Sequence, residues 1–350
     1  MPISLSRAAA VKITAITVLI LLPLVLILAT EVAGRVYFHF AHGVPGKTYG
    51  IYKAHPKLGA ILREDSYNTI KVLNNRGFQG REDVPPGDKA VGELRMVAYG
   101  GSTTFCYNLP TGEDWPARLE AQLRERGVNA RMLNAGDVSW SLGHINVRTH
   151  EEFPGLQADW VVLYSGIDEV TNALLVQGDG IDFTAEVEAG RYGLFSPHLG
   201  QDLWLFRNSL LYKMWRFRVV PHLQAPPPRL ESERDFDPRL LAAIRANYHH
   251  LLRDLIGYWR EHGARVLFVI QAVARPDHPN AFRADFSREA AATAAAAGAY
   301  VVDAQRAADE YPGDPDDLFI HSGVHWTAAG STRLAALLAR DVPFVAVSRE

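Results

Sequence analysis

Four polar stretches of this sequence are candidates for chemistry, because each ends an apolar run or directly precedes a helix-like run. They are Gly101-Ser102, Gly136, residues 166–169 (Gly-Ile-Asp-Glu), and His325. A serine hydroxyl becomes a nucleophile when a base can take its proton. Ser102 is therefore the candidate nucleophile of the chain, provided that a base reaches it.

The stretch "VAYGGSTTF", from Val97 to Phe105, places Ser102 after two glycines. We expect Gly100 and Gly101 to form a sharp turn that exposes Ser102 at a sheet edge. Backbone N–H groups at a helix start carry partial positive charge. A simpler interpretation of Ser102 is a helix N-cap. Likewise, Gly136 would only mark a turn, and His325 would only cap a helix or pack beneath Trp326.

Alternating apolar strands and amphipathic helices must position these residues. The predicted strands are "LRMVAYG", "ARMLNAG", "ADWVVLYSG", "ARVLFVIQAVA" and "YVVDA". The predicted helices are "DWPARLEAQLRERG", "RLLAAIRANYHHLLRDLIGYWREHG", "REAAATAAAAGA" and "TAAGSTRLAALLARDV". This alternation predicts an α/β fold, a mainly parallel sheet wrapped by helices on both faces. Ligands of such sheets bind beyond the carboxyl ends of the strands.

The N-terminal region predicts one membrane span. Residues 13–30 form an almost uncharged apolar run of the length that crosses a bilayer as a helix. Basic residues before the run favour a cytoplasmic N-terminus, residues 1–12, with the rest outside. Tyr37, Phe38 and Phe40 would then form an interfacial aromatic belt. A cleaved signal peptide and a buried soluble helix are the alternatives. Residues 31–93, rich in turn signals, are expected to be a linker and a lead-in that packs on the edge of a domain at 94–345.

Composition excludes several classes of function. The 350 residues carry a formal net charge of -3 and no long basic stripe, so we expect no nucleic-acid partner. The single cysteine, Cys106, rules out an internal disulfide and a Cys-rich zinc site, and we expect it to be a small buried group. Asp317, His321 and His325 have the spacing of metal ligands, but Gly323 interrupts the stretch. We expect neither a metal nor a cofactor.

Residues 174–237 interrupt the strand–helix rhythm as an insertion. The first part contains apolar residues at helical spacing, and the second part, "APPPRLESERDFDPR", is rich in proline and charge. Two interpretations stay open: a lid over the mouth of the sheet, or a core helix followed by a surface loop.

The motifs "GGSTTF", "NAG", "YSGIDEV" and "HSGVHWTAAG" occur in this order between residues 100 and 330. In order and spacing the chain resembles the SGNH/GDSL hydrolase superfamily, of the membrane-anchored bacterial type, over about residues 94 to 340. The resemblance implies a three-layer α/β/α sandwich with a five-stranded, flavodoxin-like sheet.

The resemblance also implies roles for individual residues. Ser102 would be the nucleophile and His325 the general base. The backbone N–H groups of Ser102 and Gly136 would donate to the oxyanion, and the third donor would lie at the position of Asp168. These roles together perform acyl transfer.

Two positions depart from the family pattern. Where the family has an asparagine donor, this chain has Asp168, and an ionised carboxylate cannot donate a hydrogen bond. Where the family has an acid three residues before the histidine, this chain has Ser322. A backbone carbonyl, Asp316 or Asp317 would be the alternative group to orient His325.

The resulting expectation is an extracytoplasmic, membrane-anchored ester hydrolase of the bacterial periplasm or cell surface. Its partners would be an O-acylated small molecule or glycan, such as an acetylated polysaccharide, and the membrane. An O-acyltransferase that uses the same serine is one alternative. The other is a catalytically degenerate domain that binds a glycan or a partner protein in the cell envelope.

Overall fold

A long apolar helix, α1 (Arg7–His42), begins the structure. The computed structural model of the protein describes residues 7–85, 89–178, 180–191, 209–212, 215, 219, 235–278 and 281–344. Within α1, Ile16–Ala41 is long and apolar enough to cross a membrane, and a signal sequence would meet the same criterion. The helix continues well past the predicted span at residues 13–30. Tyr37 and Phe40 are exposed on this continuation.

The lead-in segment, which we define as residues 44–85, folds against the domain as two small sheets. Strand β1 (Thr48–Tyr49) pairs in parallel with β4 (Ser66–Tyr67), and β2 (Tyr52–His55) pairs antiparallel with β3 (Gly59–Leu62). A small apolar cluster joins this segment to the helix that carries Ser102; its buried members are Ile51, Leu62, Leu73 and Phe105. The lead-in segment is therefore part of the environment of the candidate site.

The central sheet has five parallel strands. They are β5 (Leu94–Gly100), β6 (Ala130–Asn134), β7 (Trp160–Tyr164), β8 (Arg265–Ile270) and β9 (Tyr300–Asp303). Their order is β6-β5-β7-β8-β9, and every neighbouring pair is parallel. In the central register, Val97 lies opposite Leu133 on one side and Val161 on the other. The predicted flavodoxin-like, parallel five-stranded sheet is confirmed.

Helices cover both faces of this sheet. In chain order they are α2 (Ser102–Phe105), α3 (Trp115–Glu125), α4 (Leu142–Glu152), α5 (Ile167–Gly178), α6 (Phe183–Glu188), α7 (Pro238–Glu261), α8 (Ala281–Glu289), α9 (Ala291–Ala296), α10 (Gln305–Asp309) and α11 (Ala328–Asp341). Side chains begin several of them: Asp114 accepts the N–H of Ala117 at α3, and Thr327 accepts that of Gly330 at α11. Such N-caps satisfy the unpaired N–H groups of a first turn.

The core divides into two layers because successive strand residues point to opposite faces. On β5, Met96 and Ala98 join a cluster with Trp115, whereas Val97 and Tyr99 join the opposite cluster with Trp259. Both faces of the sheet are thus buried, as a parallel sheet requires. The carboxyl ends of β5 and β7 consequently open at one edge, where Ser102 and Asp168 follow.

Several helices differ from the sequence-based expectation: α4, α5, α6, α8 and α10 were not among the predicted helices. Helix α4 was not predicted, since its sequence includes glycine, histidine, asparagine and threonine, which are weak helix formers. Of the predicted insertion at 174–237, the part up to Gly178 belongs to α5, and α6 follows. Residues 192–208 and 220–234 lie outside the described residues, and with them most of the predicted lid or core helix.

Candidate active site

Ser102 begins the short helix α2 immediately after β5. Its N-cap is Gly101, with φ -85° and ψ -149°, and Ser102 is 8% exposed. The glycines act differently from the prediction: a Cβ at Gly100 would collide with the Thr104 side chain and the Tyr164 carbonyl. They permit close packing rather than a turn with positive φ. Ser102 is therefore held in a tight crevice and not displayed on an exposed bend.

His325 comes from the loop before α11, far along the chain. The loop folds back on itself: Ile320 donates its N–H to the His325 carbonyl at 2.9 Å, and Gly323 takes φ +66°. Trp326 is buried and stacks on Phe319 with ring centroids 4.2 Å apart. These contacts fix the loop, so that the imidazole of His325 points to the sheet edge. The left-handed Gly323 also breaks the helical spacing on which the metal hypothesis for Asp317, His321 and His325 depended.

The hydroxyl of Ser102 and the imidazole of His325 are in hydrogen-bonding contact. The distance from Ser102 Oγ to His325 Nε2 is 2.8 Å. Burial lowers the pKa of His325 to about 4, so the imidazole is neutral at pH 7. A neutral imidazole at this distance is able to take a proton from the hydroxyl.

Ser322 holds the other nitrogen of the same ring. Its Oγ lies 2.6 Å from His325 Nδ1 and also accepts the His325 backbone N–H at 3.3 Å. If Nε2 is to accept a proton, Nδ1 must already carry one and donate it to Ser322. Asp317 is exposed, and its backbone carbonyl accepts the Thr327 hydroxyl. The structure thus brings Ser322 to the ring and leaves Asp317 at the surface.

Gly136 lies against α2, but its N–H is already engaged. The N–H of Gly136 donates to Asn134 Oδ1 at 3.0 Å. This differs from the expectation that the Gly136 N–H is free to meet an oxyanion. A Cβ at position 136 would lie 2.5 Å from Phe105 N and 2.8 Å from the Thr104 carbonyl carbon. The glycine therefore lets β6 approach the backbone of the serine helix.

Asp168, in the first turn of α5, occupies the place where an oxyanion donor was expected. Its Oδ2 fills the space that a Cβ on Gly101 would need, so the carboxylate lies against the Gly101–Ser102 backbone. Burial raises the pKa of Asp168 to about 6, against the lowering effects of the Ser102 hydrogen bond and of the Arg283 charge. At pH 7 the site thus contains an acceptor where the reaction needs a donor.

The neighbouring Glu169 connects two helices. One of its oxygens accepts the backbone N–H of Leu142 at 2.7 Å, at the start of α4. Burial, with a smaller contribution from the nearby Asp168 charge, raises the pKa of Glu169 to about 8. Glu169 therefore joins α5 to α4 behind the site.

The end of α2 is held by side chains that sequence reasoning did not identify. Lys71 Nζ donates to the Phe105 carbonyl at 2.8 Å, and Gln79 Nε2 donates to the same oxygen at 3.0 Å. Asn134 Nδ2 donates to the Thr104 carbonyl at 3.0 Å. A helix of one turn leaves its last carbonyls without partners, and these donors satisfy them. The ammonium of Lys71 also suits the negative end of the helix.

Gln271, just after β8, connects α2 to the loop before α5. Its Nε2 donates to Thr103 Oγ1 at 3.0 Å, and its Oε1 accepts the Ile167 N–H at 2.7 Å. The sequence held a signal for Gln271 and Asn134, since both are polar residues at strand ends. It held none for Lys71, whose contact depends on how a distant segment folds.

Two further residues complete the surroundings of the pair. The ring of Tyr107 is 42% exposed and lies edge-on to His325, with centroids 4.8 Å apart. Cys106 is buried, as predicted, and burial raises the pKa of its thiol to about 12. Tyr107 therefore forms part of the accessible rim, whereas Cys106 is an inert group behind Ser102.

No family model and no curated protein matches this sequence. Among solved structures, the chain is similar to Axe2, an acetylxylan esterase from Geobacillus stearothermophilus, with a TM-score of 0.45 and 16% identity over 73% of this chain and 97% of Axe2. It is also similar to LAE5, an alpha/beta hydrolase enzyme from the metagenome of Lake Arreo, Spain, with a TM-score of 0.45 and 17% identity over 70% of this chain and 94% of LAE5. For TesA the TM-score is 0.41 and the identity 15%, over 70% of this chain and 95% of TesA. At this level of similarity the chemistry has to be argued from the geometry of the site.

Proposed function

We propose that the protein is a serine ester hydrolase of the SGNH type, acting on O-acyl esters. The observation that supports this most strongly is the 2.8 Å contact between Ser102 Oγ and His325 Nε2, with Ser322 on the opposite ring nitrogen. Nucleophile, base and a group that orients the base are the parts that acyl transfer to a serine requires.

In the proposed reaction, His325 Nε2 takes the Ser102 proton while Ser102 Oγ forms a bond to the acyl carbon. The tetrahedral intermediate collapses, the bond to the alcohol oxygen breaks, and His325 gives its proton to that oxygen. A water molecule then attacks the acyl carbon while His325 accepts the water proton; the bond from the acyl carbon to Ser102 Oγ breaks, the carboxylic acid leaves, and His325 returns the proton to Ser102. Throughout the reaction, Ser322 Oγ accepts a hydrogen bond from Nδ1–H of His325 and so keeps the ring in the required tautomer.

The oxyanion needs hydrogen-bond donors, and protonated Asp168 is proposed as one of them. Once protonated, the carboxyl no longer attracts the Ser102 N–H as a charge, and its own O–H becomes a donor. A neutral carboxylic acid in a buried site is a competent donor to a developing oxyanion. Hydrolysis is therefore expected to proceed with Asp168 in its acid form.

We further propose that α1 anchors the protein and that the catalytic domain lies outside the cytoplasm. Arg7 and Lys12 precede the apolar run, which favours a cytoplasmic N-terminus. The substrate would then be an O-acylated envelope molecule, such as an acetylated polysaccharide. The half-exposed Tyr107 next to His325 offers an aromatic surface for a sugar ring.

The decisive experiment combines labelling with turnover on the full-length chain in detergent. A fluorophosphonate probe and p-nitrophenyl acetate are applied at pH 5 to the wild type, Ser102→Ala and Thr332→Ala. Thr332 is exposed on α11, so Thr332→Ala is a matched loss of a hydroxyl away from the site. We expect labelling and hydrolysis in the wild type and Thr332→Ala but not in Ser102→Ala. Equal labelling of all three proteins would refute the assignment of Ser102.

A binding domain without catalysis is the second candidate, favoured by one observation. The Gly136 N–H, which was expected to be free, donates to Asn134, and the Ser102 N–H faces the Asp168 carboxylate closely enough to lower its pKa. If the wild type shows neither labelling nor hydrolysis at pH 5 and Asp168→Asn shows both, the result supports a binding domain without catalysis. An O-acyltransferase would show acyl-enzyme formation with slow hydrolysis, which an added glycan acceptor would accelerate.

A further inference from the structure

A charged pair, Glu31 and Arg35, follows the apolar run of α1 and indicates where along the helix the apolar part ends. Arg35 Nη2 lies 2.7 Å from Glu31 Oε1, one turn away. Charged side chains are costly in the hydrocarbon core of a bilayer and lie at its boundary. With α1 as the anchor proposed above, on which this inference rests, Glu31 and Arg35 lie where the helix leaves the hydrocarbon on the outer side.

A distant part of the chain meets α1 at this same level. Glu31 accepts three hydrogen bonds from the start of the segment 209–219: from Ser209 Oγ at 3.0 Å, and from the N–H groups of Leu210 at 2.8 Å and Leu211 at 3.0 Å. Leu210 is buried, and a Cβ on Gly34 would lie 2.7 Å from its Cδ2. Gly34 thus provides the room for this contact, and Glu31 supplies the acceptor that the new turn needs.

Beyond this contact, the same segment exposes large apolar side chains. Trp215 is 47% exposed and Val219 is 42% exposed, while the ring of Tyr212 lies 5.7 Å from that of Trp215. In the sequence, Lys213, Arg216 and Arg218 stand next to these residues. A sequence that combines aromatic and basic residues is typical of segments that lie in the membrane interface.

We propose that residues 209–212, Trp215 and Val219 rest in the outer headgroup layer of the bilayer that α1 crosses, on anionic phospholipid. The contact with Glu31 sets the depth of the segment, and Trp215 reaches the boundary between headgroups and hydrocarbon. The catalytic domain is then held to the membrane at two places, through α1 and through the insertion between α6 and α7. Helix α7 leads into the amino end of β8, so it runs opposite to the strands. Its first residue, Pro238, is therefore expected at the carboxyl ends of the strands, the end of the sheet where Ser102 lies.

Site-directed spin labelling of the full-length protein in vesicles tests this placement. Cys106 is the one cysteine of the chain and is buried, so Cys106→Ser gives a background for a label at Val219→Cys. The vesicles contain phosphatidylcholine and phosphatidylglycerol. We expect the label at 219 to collide with dissolved oxygen and to be shielded from an aqueous nickel chelate. A reference label at Val91→Cys, which is fully exposed before β5, should show the reverse.

Two further measurements separate the possible failures. Flotation of the vesicles reports the anchor alone: protein that does not float with lipid refutes anchoring by α1. Protein that floats, with a label at 219 as open to nickel as the label at 91, overturns the placement while leaving the anchor and the hydrolase proposal intact. A protein partner covering the segment in place of lipid would give this second result.

If Cys106→Ser does not fold, the natural tryptophan serves as the probe. Brominated phospholipids should quench part of the fluorescence of the wild type and a smaller part of that of Trp215→Phe. Equal quenching of the two proteins would contradict the placement. Glu31→Gln should weaken the contact, because a neutral amide accepts the three hydrogen bonds less strongly than a carboxylate. We therefore expect Glu31→Gln to increase the access of nickel to a label at 219.

Discussion

The carboxylate of Asp168 lies against the backbone of Gly101 and Ser102: its Oδ2 would stand 1.9 Å from a Cβ on Gly101, and the Ser102 N–H lowers the pKa of the carboxyl. A group that the proposed reaction needs as a donor thus faces a carboxyl group, at a position where the proposed reaction calls for another donor. The protonation state of Asp168 decides whether this contact favours or opposes an oxyanion, so the activity of the site should depend strongly on pH.

The first prediction concerns the pH profile of kcat/KM. The lowered pKa of His325, about 4, means that activity rises as pH increases through 4 and the imidazole loses its proton. The raised pKa of Asp168, about 6, means that activity falls as pH increases through 6 and the carboxyl loses its proton. Asp168→Asn should abolish the fall, and at pH 8 it should exceed the wild type by roughly 100-fold, since two pH units separate pH 8 from that pKa.

A neighbouring acid provides the control for this profile. Burial raises the pKa of Asp137 to about 7, and Asp137 accepts the Tyr52 hydroxyl at 3.0 Å. Asp137→Asn should keep the fall near pH 6. If Asp137→Asn removes the fall and Asp168→Asn does not, the role given to Asp168 is wrong.

A second prediction concerns the group that orients the base. In Ser322→Asp a carboxylate would face Nδ1 of His325 and stabilise the imidazolium, so the acidic limb should move above pH 4 and kcat should rise by about tenfold. Ser322→Ala should lower kcat by about 10- to 100-fold, because the ring loses the partner of Nδ1. Asp317→Asn, at an exposed residue, should leave both quantities unchanged. Stopped assays between pH 3 and 8 measure all three, and a loss in Asp317→Asn equal to that in Ser322→Ala would contradict this assignment.

Lys71 is predicted to support the serine helix. Lys71→Met would leave the Phe105 carbonyl with Gln79 as its donor, so we expect a loss of about 1–3 kcal/mol in the free energy of unfolding, together with a several-fold lower kcat. Lys53→Met removes another lysine of the lead-in segment, one paired with Glu64 at a part-exposed site. Its cost should stay below about 1 kcal/mol. Urea unfolding and kcat measured side by side test this, and equal effects of the two substitutions would count against a special role of Lys71.

The final prediction uses two glycines in different surroundings. Gly136→Ala would place a methyl group 2.5 Å from Phe105 N, so α2 must shift, with a loss of about 1–3 kcal/mol in stability and most of the activity. At Gly257, inside α7, a Cβ meets nothing within 4 Å. Gly257→Ala should therefore stabilise the protein by up to about 1 kcal/mol and leave kcat as it is. Thermal melts that show Gly136→Ala as stable and active as the wild type would refute the packing argument.

Much of the fold could be predicted from the sequence, because the buried strands of a parallel sheet appear as short apolar runs. The five apolar runs predicted as strands are the five strands, and Trp115, Leu119 and Leu123 form the buried face of α3 as their spacing predicts. The same logic placed Ser102 and His325 at one edge. Helix α4 escaped prediction because contacts across the fold stabilise it, including Arg148 over the rings of Phe78 and Trp140.

The details of the site were less accessible, because they depend on distances of a few ångströms between distant segments. A sequence does not reveal whether a glycine is required for its φ angle or for the space it leaves, and Gly100 proved to be the second kind. Nor does it reveal where a carboxylate such as Asp168 turns, since burial and the nearest donor decide that. The lead-in segment was expected to pack on the edge of the domain, but its turn signals do not reveal that it supplies Lys71 and Gln79 to the serine helix.

Helix α1 does not stop at the end of its apolar run but continues unbroken to His42. At ~1.5 Å per residue, the stretch beyond Thr30 forms a stiff post of roughly 18 Å. With α1 as the proposed anchor, such a rigid helix would hold the catalytic domain at a fixed height above the bilayer, whereas a flexible linker would let the domain move through a larger volume. The proposed enzyme would then reach substrates only within a thin layer above the lipid, and lengthening the helix by whole turns would move that layer outward.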